Sequence, residues 1–229
     1  MEEFGQVTLK LLGGFSSSVF LFTLTLILSL PLGLLMCFGA MTKIIPIKVL
    51  SRAIILVLRG TPLMLQIFVI FYVPGLLFGF QWPSLGTGNV YLDTTFSTRF
   101  FAALAAFTIN YAAYFAEIFR GGIQSIPKGQ YEAAEVLGLK RKDVFFKVIL
   151  LQMVKRIIPP MGNEIVTLVK DTSLANVIAV SELMFRAQQL LNAGLIYPIF
   201  YAGAFYFAFN ALVSFILRKT ERKLEYIKV

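Results

Sequence analysis

Long apolar stretches dominate this chain, and the charged residues between them mark its organisation. No Asp, Glu, Lys or Arg occurs in 11–42, 60–92, 100–116 or 187–217. A helix needs about 20 mainly apolar residues, at about 1.5 Å each, to cross a bilayer. These stretches therefore predict spanning helices near 15–38, 55–78, 98–119 and 194–217. A fifth, less apolar segment within 148–180 is interrupted by Pro159-Pro160 and by the polar run Lys170-Asp171-Thr172-Ser173. Phe4, Val7, Leu11 and Leu12 recur at helical spacing, so 1–13 reads as a short interfacial helix. Trp82 and Tyr91 in the connection 79–97 suit an interfacial aromatic belt. The expected fold is all-α, with five transmembrane helices.

Composition excludes most alternatives. The 229 residues are 58% hydrophobic and 14% charged, where a soluble domain carries about 25% charged residues. The chain has no histidine, which removes His-ligated metals, Ser-His-Asp triads and His proton relays. Its one cysteine, Cys37, lies in an apolar run and reads as a small packing residue, with no intrachain disulfide possible. Met1-Glu2-Glu3 lacks the positive start of a cleavable signal, so the whole of 1–229 is taken as one membrane domain.

The net charge of +9 is distributed unevenly. Seventeen of the 21 basic residues fall between spans one and two, between spans three and four, or in the tail. Only Lys10, Arg99, Lys170 and Arg186 fall on the other side. The positive-inside rule then places the N-terminus outside and the C-terminus inside.

The longest internal segment, 120–156, carries helix punctuation. Gly121-Gly122 reads as the end of span three, and Ser125 and Pro127 as a new helix start. A short helix over 130–137 is followed by Gly138, where a left-handed C-cap is expected. A second helix restarts near Asp143. A short helix thus lies crosswise on the cytoplasmic face, which by spacing alone fits a linker on the lipid headgroups equally well.

Glu132-Ala133-Ala134, then Gly138, then Val148 and Leu150, resembles the EAA motif of ABC importer permeases. Arg59-Gly60-Thr61-Pro62 resembles the RGTP signature of the polar amino-acid branch of that family. Two more signatures are similar. One runs from Tyr114 to Glu117, through Arg120-Gly121-Gly122, to Gly129-Gln130. The other comprises Pro160, Asn163-Glu164 and Lys170-Asp171-Thr172-Ser173-Leu174. The chain departs where the family pattern ends in Leu-Pro; here it reads Leu150-Leu151.

The resemblance implies a type I ABC importer permease, whose loop 120–147 forms a coupling helix docked on an ATP-binding subunit. Gln130, Tyr131, Glu132, Ala133, Ala134, Glu135, Leu137 and Gly138 are its expected contacts. It also implies two ATP-binding subunits, a second permease subunit (identical or a sister chain) and an extracytoplasmic substrate-binding protein, in the cell inner membrane. No G-x-x-x-x-G-K-[ST] loop occurs. ATP and Mg are therefore expected on the partners, with no cofactor, metal or catalytic residue on this chain and no role for nucleic acid.

Acids inside a bilayer are costly, roughly 2.5–3.5 kcal/mol each, and tend to face an interior path. Glu117, Glu164 and Asp171 are the candidates. Each also has a structural reading. Glu117 has an in-helix partner in Arg120, and Asp171 beside Lys170 suits a helix cap. Glu164 has no basic residue at i±3 or i±4, which leaves a substrate role or an interhelical bond to Arg59 or another subunit. It lies nine residues beyond Lys155, roughly 14 Å along a helix, which suggests mid-membrane depth. Gln66, Asn110, Tyr114, Asn163 and Thr167 are the neutral polar candidates. Breaks at Pro62 and at Pro159-Pro160 would free backbone groups for a substrate's carboxylate and ammonium. A carboxylate at depth favours basic amino acids slightly over glutamine. The rival readings are an ion-gradient-driven amino-acid transporter and a membrane scaffold.

Overall fold

A computed structural model describes residues 4–225. Helix α1 (Phe4–Met41) is continuous over 38 residues. The segment 4–13, expected as a short interfacial helix leading into span one, is helical and runs into the span without a break; residues 1–3 lie outside the described range. Its inward side carries Gly14, Ser17, Ser18, Thr25, Ser29, Gly33, Cys37 and Ala40 at helical spacing. Small residues let helix backbones approach closely where lipid supplies no hydrophobic drive. The partner is α5 (Thr98–Gln124), which buries Ala102, Ala103, Ala106, Ala112, Ala113 and Ala116. A Cβ on Gly33 would stand 2.8 Å from the carbonyl oxygen of Ala112 and 2.9 Å from Phe115 Cβ.

The second predicted span is two helices. Helices α2 (Ile45–Gly60) and α3 (Leu63–Phe78) meet at 111°. Pro62 disfavours helical backbone at the residue before it, and Thr61 is accordingly extended, with φ −116° and ψ 147°. The break expected at Pro62 is present, but the expected span 55–78 runs straight across it. A short helix, α4 (Val90–Thr95), follows in the connection to α5 and is capped by the Asn89 side chain.

Helix α5 does not end at Gly121-Gly122. It passes through both to Gln124, since Gly122 is used to let Ile157 approach rather than to stop the helix. Helix α6 (Lys128–Val136) starts after Pro127 and closes at Gly138, whose φ of +68° is the left-handed cap the sequence anticipates. The chain restarts with the turn α7 (Arg141–Asp143), continues as a π-helical stretch (Val144–Ile149) and becomes α8 (Leu150–Asp171).

Pro159 and Pro160 sit inside α8 without breaking it. They cost only their own N–H bonds, to the carbonyls of Lys155 and Arg156. The interruption comes later, as a 3-10 segment (Thr172–Ile178). Helix α9 (Leu183–Asn192) precedes the last span and overlaps the start of the charge-free stretch 187–217. Helix α10 (Tyr197–Glu225) closes the described chain.

By length and composition, α1, α5 and α10 suffice to cross a membrane, and the bent α2–α3 pair makes a fourth. Helix α8 is too polar to pass the same test. It packs against α5 on one side and α10 on the other.

Candidate functional site

The break between α2 and α3 frees backbone carbonyls inside the bundle, and two side chains absorb them. Gln66 donates its amide to the carbonyls of Leu58 (2.7 Å) and Thr61 (3.2 Å) and to Thr61 Oγ1 (2.8 Å). Asn110, reaching from α5, donates to the same Leu58 carbonyl (3.2 Å) and to Gln66 Oε1 (3.1 Å). Both side chains are buried. Unpaired groups at such a break cost about 1–3 kcal/mol each. These two residues were singled out as polar groups at depth; here they hold a bent backbone together.

The bend brings Arg59, itself exposed, up to α5. Its guanidinium lies 5.2 Å from the ring centroid of Tyr114 and 3.9 Å from the Glu117 carboxylate. Glu117 accepts from Arg120 Nε at 3.1 Å, so the in-helix ion pair read from the sequence is present and Arg59 joins it. Glu164 lies close enough for the Arg59 charge to act on it, yet it makes no hydrogen bond or ion pair among the described residues. Tyr111 donates its hydroxyl to Asp171 Oδ2 at 2.7 Å, tying α5 to the end of α8. Thr167 donates to the Asn163 carbonyl one turn back, and Asn163 itself is exposed.

The depths need correction. Helices α5 and α8 run antiparallel, with Gly122 against Ile157 and Tyr111 against Asp171. Between those two contacts Glu164 falls level with Glu117. It is also two residues from Gly162, which packs beside Leu217 and Glu221 at the first charged turn of α10. Glu164 is therefore not deeper than Glu117. Counting from Lys155 overestimated its depth because the start of α8 already extends past the apolar part of α10.

Of the eight polar candidates, Tyr114 and Glu117 gather around Arg59, whose charge also reaches Glu164; Gln66 and Asn110 clamp the break, and Asp171 pairs with Tyr111. Asn163 and Thr167 stand apart on α8. Sequence reading missed Glu182, which is completely buried and caps α9. Its carboxylate accepts from the backbone N–H of Met184 (2.7 Å) and Phe185 (2.6 Å), from Tyr206 (2.9 Å) and from Ser18 (3.5 Å). The available signal was an acid directly before an apolar run, the pattern of an N-cap.

Helix α6 presents a different surface. Only Ala134 is buried; Tyr131, Glu132, Ala133 and Glu135 are exposed, and Leu137 is 76% and Val136 88% exposed. Gln130 accepts from Gln152 at 3.1 Å, which fixes α6 against α8. Tyr131 and Glu135 line a cavity of about 350 Å³ with Leu139, Val144 and Phe145.

Known proteins share this sequence pattern and fold. The family described as binding-protein-dependent transport system inner membrane component matches residues 29–226. The L-cystine transport system permease protein TcyB of Bacillus subtilis is 36% identical over 216 residues, covering 93% of this chain and 86% of that protein. The arginine transport system permease protein ArtQ of the same organism is 32% identical over 217 residues, covering 94% and 92%. A crystal structure of an amino acid ABC transporter with histidines superposes with a TM-score of 0.82 at 30% identity, covering 95% of each chain. The MetNI methionine ABC transporter shares the fold, with a TM-score of 0.68 at 16% identity.

The chain belongs to the family of binding-protein-dependent transport system inner membrane components, as a membrane-embedded permease subunit of an ABC importer, with ATP hydrolysis carried out by separate subunits.

Proposed function

We propose that this chain forms half of the translocation pathway of an ATP-driven importer for polar amino acids, with basic side chains favoured slightly over glutamine. Helix α1, the bent α2–α3 pair, α5, α8 and α10 make five crossings of a cell inner membrane. The N-terminus is outside and the C-terminus is cytoplasmic, in keeping with the 17-to-4 division of basic residues. Two permease chains, identical or sister, sit on two ATP-binding subunits that hold ATP and Mg. An extracytoplasmic binding protein delivers the substrate. The permease itself carries no cofactor.

The amino-acid class is supported by the relatives, among them permeases for cystine and arginine. The preference for a cation is supported by Glu164, a half-buried carboxylate with no hydrogen-bond partner among the described residues. Tyr114, Glu117, Asn163, Thr167 and Asp171 complete the proposed path, while Gln66 and Asn110 hold its shape.

The observation that carries the reading is α6. A nine-residue helix that leaves Val136 and Leu137 in water, capped by a glycine at φ +68°, is a surface built for another protein. Closure of the ATP-bound pair would draw the two α6 helices together and rock the bundles between inward- and outward-facing states. Gly138→Asp tests this. A side chain at that φ is strained and places a charge beside Leu137. Pull-down from native membranes in mild detergent should recover an ATP-binding subunit with the wild type and lose it with the variant. Absence of that subunit from a folded wild-type preparation would sink the proposal.

A further inference from the structure

Helix α10 ends in a basic cluster whose charge the path described above does not use. Arg218, Lys219, Arg222 and Lys223 follow directly on the charge-free run that closes at Leu217. Phe215, Arg218, Lys219 and Arg222 stand at i, i+3, i+4 and i+7, so one helix face carries them all. Together they line a shallow cavity of about 320 Å³. All four basic residues are exposed. None of them has a hydrogen bond or ion pair among the described residues. The one acid in this turn, Glu221, faces the other way, with its carboxylate 3.5 Å from where a Cβ on Gly162 of α8 would stand.

Above the cluster the same side of α10 is apolar and open. Leu212, Phe215 and Ile216 are all more than half exposed. An exposed apolar stripe that runs into unpaired cations matches one molecule end to end: acyl chains along the stripe and a phosphate among the cations. We propose that the C-terminal turn of α10 is a binding site for the headgroup of an anionic phospholipid of the cytoplasmic leaflet. Basic residues beside an anionic membrane surface attract it by a similar increment each, and Arg218 and Arg222 add a planar fork that matches phosphate geometry. This rests on the C-terminus being cytoplasmic, as proposed above.

The test uses the purified transporter complex in detergent, titrated with phosphatidylglycerol or phosphatidylcholine and read by native mass spectrometry. The wild type should retain phosphatidylglycerol selectively. The variant Arg218→Gln/Lys219→Gln/Arg222→Gln should bind it roughly a hundredfold more weakly. A charge-matched variant elsewhere, Lys43→Gln/Lys48→Gln/Lys128→Gln, should leave it within about twofold of wild type, and equal thermal unfolding would show that all three are folded. Equal lipid binding by the first variant would overturn the proposal. So would competition by inorganic phosphate at the lipid's own concentration, which would make this a free-phosphate site. Loss of the ATP-binding subunit with lipid binding unchanged would assign the face to that partner instead. Lys219→Cys, probed with a membrane-impermeant maleimide on oriented vesicles, tests the orientation separately. Labelling from the outside would overturn the cytoplasmic assignment while the detergent titration still reported on the lipid site.

Discussion

Glu182 and Glu164 both lie within the helical bundle, yet one is surrounded by donors and the other has none. Glu182 caps α9 and gathers two backbone N–H groups and two hydroxyls, from Ser18 on α1 and Tyr206 on α10. Ser18 also accepts the Leu183 N–H at 3.2 Å, which closes the network. Three helices are fixed there with every polar atom of the carboxylate used. Glu164 stands in the opposite condition, within reach of the Arg59 charge but with its oxygens uncommitted among the described residues. A fully satisfied buried group specifies a structure, whereas an unsatisfied one in a gathering of charges is available to a ligand. The first region is an anchor. The second is where a transported cation would find an acceptor.

The contrast breaks most readily at the anchor. Glu182→Ala uncaps α9, worth about 1 kcal/mol, and takes from the Tyr206 hydroxyl its carboxylate acceptor, worth about 1–3 kcal/mol more. A loss of roughly 3 kcal/mol is expected, measured as thermal unfolding of the detergent-solubilised protein. Glu182→Gln keeps an acceptor oxygen and should recover part of it. If Glu182→Ala unfolds at the wild-type temperature, the anchor is not one.

Gln66→Ala comes next. It frees the Thr61 carbonyl and leaves the Leu58 carbonyl to Asn110 alone, so a cost of about 1–3 kcal/mol is expected. The loss should be local. Hydrogen exchange at the α2–α3 junction should quicken while α9 remains protected, and Asn110→Ala should add less than its separate effect because each single variant already breaks the bond from Asn110 to Gln66 Oε1. Full additivity would show that the clamp does not act as a unit.

Glu164→Gln sharpens the comparison from the other side. A residue without partners can be replaced at little cost in stability, within about 0.5 kcal/mol. Uptake of arginine by the reconstituted complex should fall roughly tenfold, the loss of about 1.4 kcal/mol expected of one interaction with a charge. Glutamine uptake should fall less. Equal loss of both would remove the preference for basic substrates and leave a site for the ammonium group common to all amino acids.

These differences explain what could be read from the chain in advance. The apolar runs located α1, α5 and α10 because a bilayer demands them. The break at Pro62 was legible because proline acts on its own neighbour, and the cap at Gly138 because a left-handed turn needs glycine. Pro159-Pro160 misled because a helix packed on both sides can carry prolines at the cost of two hydrogen bonds. Gly121-Gly122 misled because a glycine admits a neighbouring helix as readily as it ends its own. The anchor was invisible for a different reason. Ser18 and Glu182 are 164 residues apart, and no local pattern pairs them. Arg59, Glu117 and Glu164 were each legible singly, but their convergence depends on a 111° bend and on the register of α5 against α8.

The smallest effect lies outside the bundle. Asp93 in the connection between α3 and α5 accepts from the Thr87 backbone N–H (2.8 Å), the Thr87 hydroxyl (2.8 Å) and the Gly88 N–H (3.1 Å). The Thr87 N–H, then its hydroxyl, hold the Asp93 carboxyl below the usual carboxylate range. A group whose pKa is depressed on folding contributes stability above its unfolded value and loses it as pH falls through the folded one. The outer loop should therefore loosen on acidification below the ordinary carboxylate range, while the Glu182 anchor keeps α9 in place. Limited proteolysis of right-side-out vesicles across that pH range, with an acid-active protease, would show cleavage within 79–97 accelerating in the wild type. Asp93→Asn retains an acceptor but cannot titrate, so its cleavage should vary less with pH. If both proteins are cut with the same pH profile, the Asp93 turn does not govern the loop.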